Sequence, residues 1–428
     1  MEIIIDPKNF IRPPYRTCPK CDQKSFGVLS IYDQHYVRRC KKCWHSSSYL
    51  LPPLNKKVIY IDQMALSNMM KSLNPNTKAY QKGTIDPIWR TLFEKLDTLC
   101  KLQLIICPDS DFHTSESLLS PFYPTLKRMY ELLSHGVSFY HHEDIKRFQI
   151  CEHAKNWLGN EEDKPPNLDI NSVVHGNINA WQEPYIISVN WERDQDSLDK
   201  LRETREKVHT GFLDVFRQWQ KINKSFEDTF EDECMAFGRT VLQVYCNWLG
   251  KLVKVMTGQA AVTNEIAFPP SPVNLIHSIT DVFRRAGINE DEIMSKIVAY
   301  LRSPSLKNVP FLRISAMLYA ALARKAAAGQ KRLPSRGMIT DIELISVLLP
   351  YCDAMFIDNE CYGLLREVPL CNEINYGTRL FSLNTIDKFF SYLDEIKSSA
   401  SDEHLTKIAE VYGKNWGQPY ITLYRSNR

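Results

Sequence analysis

Four carboxylic acids that lie far apart along the chain stand beside predicted strand or helix ends: Asp62, Glu116, Asp341 and Asp358. In an open sheet of parallel strands, the carboxyl ends of the strands form the crevice where ligands bind, so these acids are expected to converge. Clustered carboxylates repel one another unless a cation neutralises them. Hard oxygen ligands without clustered histidine or cysteine favour Mg²⁺ or Mn²⁺ over zinc.

These acids also have a purely structural interpretation. Asp62 and Asp358 are of the residue type that commonly caps helices. Thr340 and Glu343 form a plausible capping box at the start of a helix, where the helix dipole would favour Asp341.

The second acid of the group has three candidates. Glu116 is the preferred one, although it could be a solvated residue in the first turn of a helix. Asp109 and Asp111 precede it closely, and Glu360 competes in the same way with Asp358. The sequence leaves the choice between Glu116, Asp109 and Asp111 open.

Four cysteines near the start of the chain have the spacing of a structural zinc site. Cys18 and Cys21 form one CxxC pair, Cys40 and Cys43 form another, and eighteen residues separate the two pairs. Two residues between ligands let each turn present both sulfurs to one tetrahedral ion. With two short strands predicted between the pairs, the layout is that of a zinc ribbon, whose stability comes largely from the metal.

Basic residues suggest two surfaces for nucleic acid. The first surrounds the second cysteine pair, where cations alternate with the aromatic residues Tyr32, Tyr36 and Trp44. Cations for phosphates and aromatic faces for bases are what a single-strand binding surface requires. The second precedes Asp341, where a basic loop could hold phosphates. The predicted contacts are Arg38, Arg39, Lys41, Lys42, Lys331, Arg332 and Arg336. A ribbon used for protein contacts and an ordinary solvated loop remain the alternatives.

Charge and composition indicate a folded protein with a basic head. Residues 1–57 contain eleven Lys or Arg and four Asp or Glu, a net charge of +7 against +3 for all 428 residues. Such a module suits a polyanionic partner, although surplus charge also serves solubility. The sequence has no apolar run long enough to cross a bilayer and no secretion signal at its start, so we expect a cytoplasmic protein without membrane contacts.

The elements that must position the acids alternate between strands and helices, as in a parallel α/β sheet. Buried strands are predicted at 57–61, 102–107, 354–357 and 379–383, and helices at 63–71, 87–101, 311–328, 341–349 and 386–397. Between these two parts, apolar residues from Leu201 to Phe230 recur at helical spacing and predict one long helix. Further helices are expected near 234–256, 276–286 and 290–302.

These patterns predict five regions: a zinc ribbon at 1–54, a first α/β part at 55–150, a helical insertion at 151–310, a second α/β part at 311–396 and a C-terminal tail at 397–428. The fold class is therefore α/β, with a parallel-sheet domain interrupted by a large helical insertion and preceded by the ribbon. We assign no chemistry to the insertion, which is a possible surface for a protein partner or for self-association.

The segments that carry the acids resemble the PIN-like nuclease family. They are IYIDQMALSNM after the first strand, PDSDFHTSES after the second, and ITDIELISVLLPYCDAMFIDNE near the end. The resemblance covers about 57–150 and 311–396. It implies a PIN-like sheet domain in which the four acids bind Mg²⁺ or Mn²⁺ and cleave phosphodiester bonds, with RNA preferred over single-stranded DNA.

The sequence thus predicts a metal-dependent nuclease whose zinc ribbon aids substrate binding. The main alternative is a non-catalytic nucleic-acid-binding or protein-interaction module that uses the ribbon and the insertion. A hydrolase with a serine nucleophile, or a nucleotide-binding protein of the P-loop type, is disfavoured because neither GxSxG nor a glycine-rich phosphate loop occurs.

Overall fold

A computed structural model describes residues 6–184, 195–222 and 224–425. The N-terminal region is a four-stranded antiparallel sheet in which each strand pairs with the next along the chain. Its strands are β1 Arg12–Thr17, β2 Lys24–Tyr32, β3 His35–Cys40 and β4 Ser46–Leu50. The two strands predicted between the cysteine pairs are confirmed as β2 and β3.

The body contains a parallel sheet whose strands come from both ends of the chain. The remaining strands, in chain order, are β5 Lys57–Ile61, β6 Ile105–Ile106, β7 Ser138–Phe139, β8 Val174–His175, β9 Ala354–Phe356 and β10 Arg379–Phe381. The parallel sheet has the order β10-β9-β5-β6, and β7 and β8 form a separate antiparallel pair. The predicted α/β class with a parallel sheet and a large helical part is confirmed.

Helices flank the sheet on both sides. Those before the predicted insertion, or beginning before it, are α1 Gln63–Leu73, α2 Lys78–Gln81, α3 Ile88–Lys101, α4 Asp111–Ser117, α5 Tyr123–Ser134 and α6 His142–Leu158. Those within it are α7 Gln195–Trp219, α8 Phe226–Met256, α9 Asn264–Ala267, α10 Ser271–Arg285 and α11 Glu290–Leu301. Those after it are α12 Pro310–Ala327, α13 Met338–Leu348, α14 Asn359–Leu365, α15 Leu370–Glu373, α16 Ile386–Ser398 and α17 Asp402–Tyr412.

Strand β5 shows why the sheet lies in the middle of the molecule. Successive side chains of a strand point to opposite faces. Ile59 and Ile61 pack with α1, α3, α5 and α16, whereas Val58 and Tyr60 pack with helices that include α8, α10 and α12. Because both faces are covered, the strand is apolar from Val58 to Ile61, as is usual for parallel sheets.

The helical region shares its core with the sheet. Phe212 of α7, Val241 of α8 and Ile279 of α10 belong to the same buried cluster as Val58 and Tyr60. The single long helix predicted through Phe230 is wrong in one respect: α7 ends at Trp219, and α8 begins at Phe226 with Ser225 as its cap. The Ser225 side chain accepts a hydrogen bond from the backbone N–H of Asp228, which makes this a new helix start.

The C-terminal region holds the ribbon against the body. Helix α17 contributes Ile408, Val411 and Tyr412 to an apolar cluster with the ribbon residues Val28, Ile31 and Tyr36. Arg38 of β3 is fully buried there and donates hydrogen bonds to the carbonyl oxygens of Pro14, Phe26 and Glu410. The segment predicted as a C-terminal tail therefore includes a helix that packs on the ribbon.

The ribbon and α17 lie beside the amino ends of the parallel strands. Leu102, which precedes β6, packs in the same apolar cluster, and His404 of α17 contacts the carbonyl oxygen of Leu102 at 2.7 Å. Within the described residues, none of the helices combines the length and the apolar character needed to cross a lipid bilayer.

Candidate functional site

An open cleft of about 320 Å³ lies at the carboxyl ends of the parallel strands. It contains all four predicted acids, so their expected convergence is confirmed. The residues that line it are Asp62, Gln63, Met64, Ser67, Glu116, Ser117, Ser120, Leu126, Asp341 and Asp358.

Asp62 and Asp358 are held in place by the helices they cap. The backbone N–H of Asp62 donates to the carbonyl of Phe356 at 3.0 Å, which ties the end of β5 to the end of β9. Asp62 Oδ1 accepts from Met64 N at 3.0 Å, and Asp358 Oδ1 accepts from Glu360 N and Cys361 N at 2.6 and 3.2 Å. The capping interpretation is therefore correct for both residues, yet both side chains also face the cleft.

Asp341 reaches the cleft from within a helix, not from its first position. Helix α13 begins at Met338, so the predicted capping box of Thr340 and Glu343 is wrong. A carboxylate oxygen of Asp341, one of Asp358 and the sulfur of Cys361 all lie within 4.8 Å of one another. Two acids separated by a helix and a strand in sequence are thus neighbours in space.

Glu116 is the second acid of the cleft, in the last turn of α4. Its two rivals have other partners. Asp109 Oδ1 contacts His113 Nδ1 at 3.0 Å, and Asp111 contacts both His141 and His142. Of the three candidates, Glu116 is the one that lines the cleft.

A buried histidine lies beneath the acids. His113 contacts Asp109 through Nδ1 and the carbonyl oxygen of Ile61 through Nε2, at 3.0 and 2.8 Å. Both partners accept hydrogen bonds only, so the ring must carry a proton on each nitrogen. Burial lowers the pKa of His113, but Asp109 outweighs it and the net pKa is raised. His113 and Asp109 therefore form an ion pair on the inner side of the cleft.

The electrostatics of the cleft oppose full ionisation of the acids. Burial, followed by the charge of Asp62, raises the pKa of Glu116 to about 7. Burial, followed by the charges of Asp62 and Asp358, raises the pKa of Asp341 to about 9. Burial also raises the pKa of Asp62. Without a cation, these carboxyl groups therefore share protons near neutral pH.

Two buried oxygen atoms at this site lack a hydrogen-bond partner among the described residues. They are Asp358 Oδ2 and Gln63 Oε1. A buried acceptor without a partner costs free energy, so its presence in native structures needs an explanation. Carboxylate and amide oxygens are ligands of hard divalent cations, or of water bound to them. The donor set of the cleft therefore fits such an ion.

The four ribbon cysteines form a second cluster, with all sulfurs within 4.8 Å of one another. Cys18 and Cys43 are 3.6 Å apart, and Cys21 and Cys40 are 3.7 Å apart. A tetrahedron of sulfurs at the usual zinc distance of about 2.3 Å has edges of about 3.8 Å. Backbone N–H groups of Lys42 and Cys43 also point to Cys40 Sγ, at 3.3 and 3.5 Å. The cluster can hold a zinc ion.

The predicted nucleic-acid contacts differ in their burial and in their partners. Arg38 is wrong as a contact, because its guanidinium is buried and both terminal nitrogens donate to backbone carbonyls. Arg39 lies 4.9 Å from the ring centre of Trp44, Lys41 lies 5.0 Å from that of Tyr15, and Lys42 is exposed. In the basic loop Lys331, Arg332 and Arg336 are exposed, and Arg336 pairs with Glu206 of α7 at 3.3 Å.

In comparisons with known proteins, no family model, no curated protein and no solved structure matches this chain. The resemblance to PIN-like nucleases therefore has no support from these comparisons.

Proposed function

We propose that the protein is a metal-dependent nuclease whose acid cleft hydrolyses phosphodiester bonds. The observation that carries this proposal is the convergence of Asp62, Glu116, Asp341 and Asp358 in one cleft, with Asp358 Oδ2 buried and unpartnered. Four crowded carboxylates repel one another and destabilise the fold unless a cation binds them. The oxygen ligands favour Mg²⁺ or Mn²⁺.

A divalent cation bound there would supply activation of water and stabilisation of the charge on the phosphate and on the leaving oxygen. The residues of the chain would hold the ion and accept a proton. The helix caps fix one oxygen each of Asp62 and Asp358 and leave the other for the ion. Glu116, which lines the same cleft, would accept the proton of the attacking water.

The reaction needs no covalent intermediate. Water adds its oxygen to phosphorus, the bond from phosphorus to the 3′ oxygen breaks, and the proton removed from water is available to the leaving oxygen. RNA is the preferred substrate and single-stranded DNA the next, a ranking that rests on the PIN-like resemblance. In the ribbon, Arg39, Lys41 and Lys42 would bind the strand together with Trp44.

Cleavage of labelled single-stranded RNA and DNA in Mg²⁺, Mn²⁺ or EDTA tests the proposal. Asp62→Asn and Asp341→Asn should abolish cleavage while circular dichroism stays unchanged. Asp394→Asn is the matched control, because Asp394 is an exposed acid that pairs with Lys95 on the surface. Normal cleavage by either cleft variant would remove that acid from the mechanism. If the unmodified protein cleaves no nucleic acid in either metal, the proposed nuclease function is refuted.

A non-catalytic nucleic-acid binder is the second candidate. It is favoured by the ribbon, where a guanidinium stacks on Trp44 and an ammonium on Tyr15, an arrangement suited to bases and phosphates. This function predicts salt-sensitive binding that persists in EDTA and no cleavage with any metal.

A further inference from the structure

The long helix α7 brings a cation to the rim of the acid cleft. Arg205 Nη2 donates a hydrogen bond to the carbonyl oxygen of Ser115 at 2.6 Å, next to Glu116 in sequence. The guanidinium acts on Glu116 electrostatically, since it is one of the charges that lower the pKa of this acid against the effect of burial. A residue of the predicted insertion, to which the sequence assigned no chemistry, is thus adjacent to the site.

Contacts at both sides fix α7 in this position. Its buried residue Phe212 packs edge-on against Tyr319 of α12, with ring centres 6.1 Å apart. Glu206 pairs with Arg336 in the basic loop, and Gln220, just after α7, donates to the carbonyl oxygen of Gln330 at 2.9 Å. The helix therefore runs from α4, which carries Glu116, to the loop that precedes α13, which carries Asp341.

The charge of the cleft calls for such a cation. Four ionised acids with one divalent ion would leave a net charge of about −2, which repels a phosphodiester. A guanidinium has five N–H donors in a planar fork that suits phosphate oxygens. Ser115 occupies one donor of Arg205, and the side chain is only half-buried, so further donors can face a ligand.

We propose that Arg205 binds the phosphate of a nucleic-acid strand beside Glu116 and so positions the scissile bond in the cleft. The inference rests on the proposed nuclease function. The competing role is structural: Arg205 would then only fasten α7 to α4 through Ser115.

Two affinities separate these roles. Fluorescence anisotropy of a labelled single-stranded RNA oligonucleotide in Ca²⁺ measures strand binding without requiring cleavage. Titration calorimetry with Mn²⁺ measures the affinity of the acid cleft for the metal. Arg205→Gln should weaken oligonucleotide binding about tenfold, as expected for the loss of a charge-assisted hydrogen bond. The same change should tighten Mn²⁺ binding about twofold, because a cation that repels the metal is removed.

Arg217→Ala is the matched control, because Arg217 lies on the same helix, is exposed and pairs with Asp214 at 2.8 Å. It should change neither affinity. The inference is supported if Arg205→Gln weakens oligonucleotide binding at least fivefold without weakening Mn²⁺ binding. A smaller effect, or a parallel loss of both affinities, would overturn it, as would a wild-type protein that binds no oligonucleotide. A wild-type protein that binds the strand but never cuts it refutes the nuclease and leaves the role of Arg205 to be decided by binding.

Discussion

Replacement of Asp341 by asparagine should stabilise the metal-free protein and at the same time remove its response to divalent cations. Asp341 shares the cleft with three other acids, and its pKa is raised from 3.8 to about 9 by burial and by the charges of Asp62 and Asp358. Asparagine has nearly the same shape and no charge. The variant therefore loses the repulsion and also a metal ligand.

The sign of the pH dependence follows from the direction of this shift. Between pH 3.8 and about 9 the folded protein retains a proton on Asp341 that the unfolded chain has lost. The free energy of unfolding of the metal-free protein therefore decreases as the pH rises through this window. The raised pKa of Glu116, about 7, adds a decrease of the same sign that ends nearer neutral pH.

The magnitude has a ceiling set by the shift. At about pH 8, which is roughly four pH units above the pKa of Asp341 in the unfolded chain, about 1.4 kcal/mol per unit gives about 6 kcal/mol. Water entry and relaxation of an open cleft reduce this, and we expect a gain on the order of 2 kcal/mol for Asp341→Asn. For a chain of this size, this gain corresponds to a rise in Tm of about 2 °C.

Thermal unfolding in EDTA and in saturating Mn²⁺, at several pH values, measures both effects. Without metal the variant should unfold at a higher temperature than the unmodified protein, most clearly at high pH. With Mn²⁺ at about 100 times its Kd, the unmodified protein should gain about 2.7 kcal/mol and the variant much less. The order of the two proteins should thus be reversed by the metal.

Asp394→Asn should follow the unmodified protein under every condition, because Asp394 is an exposed surface acid. If Asp341→Asn is the less stable protein in EDTA and still gains as much stability from Mn²⁺ as the unmodified chain, Asp341 neither repels the other acids nor binds the metal.

Three further predictions concern the scaffold and the ribbon. Gly238→Ala should destabilise the protein by about 3 kcal/mol in urea unfolding, because the new Cβ would lie 1.8 Å from the carbonyl oxygen of Leu301. Gly250→Ala is the control: the same helix has open space there, so this change should be neutral or slightly stabilising. Equal effects of the two would contradict the packing of α8. Arg38→Met should lower the free energy of unfolding by about 2–3 kcal/mol by leaving buried carbonyls unpaired, with exposed Lys42→Met as the control that leaves it unchanged. Elemental analysis should find one zinc ion per chain, and Cys40→Ser should lose it and expose the ribbon to proteolysis; a protease-resistant variant without zinc would contradict a structural role for the metal.

The parts of the fold that sequence patterns predict well are those in which local and long-range preferences agree. The segment 58–61 is apolar and rich in β-branched residues because both faces of β5 are covered, and Asp62 both ends the strand and caps α1. The cysteine pairs specify their own geometry, because a tetrahedral ion accepts few spacings. The convergence of Asp62 and Asp358 follows from the parallel direction of β5 and β9, which the strand–helix alternation indicates.

Other features depend on contacts that no local pattern reveals. Arg38 stands in a basic segment and looks like a surface residue, but the carbonyl oxygen of Glu410, distant in sequence, accepts one of its hydrogen bonds. The break between α7 and α8 occurs within a continuous apolar periodicity, and the cap at Ser225 gives the only local clue. The position of Arg205 depends on how α7 crosses the molecule, which is decided by packing on α12.

Adjacent histidines illustrate the same limit. His141 and His142 would point to opposite sides if they lay on a strand. They stand instead at the start of α6, where His141 is the cap and His142 the first residue, and both contact Asp111 of α4. Their cluster is a link between α4 and α6 that sequence spacing does not suggest.

The placement of the ribbon at the amino ends of the strands has a consequence for any polymer that the protein binds. The acid cleft lies at the opposite ends, so the two regions are separated by at least the height of β5, about 17 Å for five residues. A short oligomer can occupy one location or the other, whereas a long strand can bridge both and gain from two-point attachment. Sensitivity to loss of the ribbon should therefore increase with strand length.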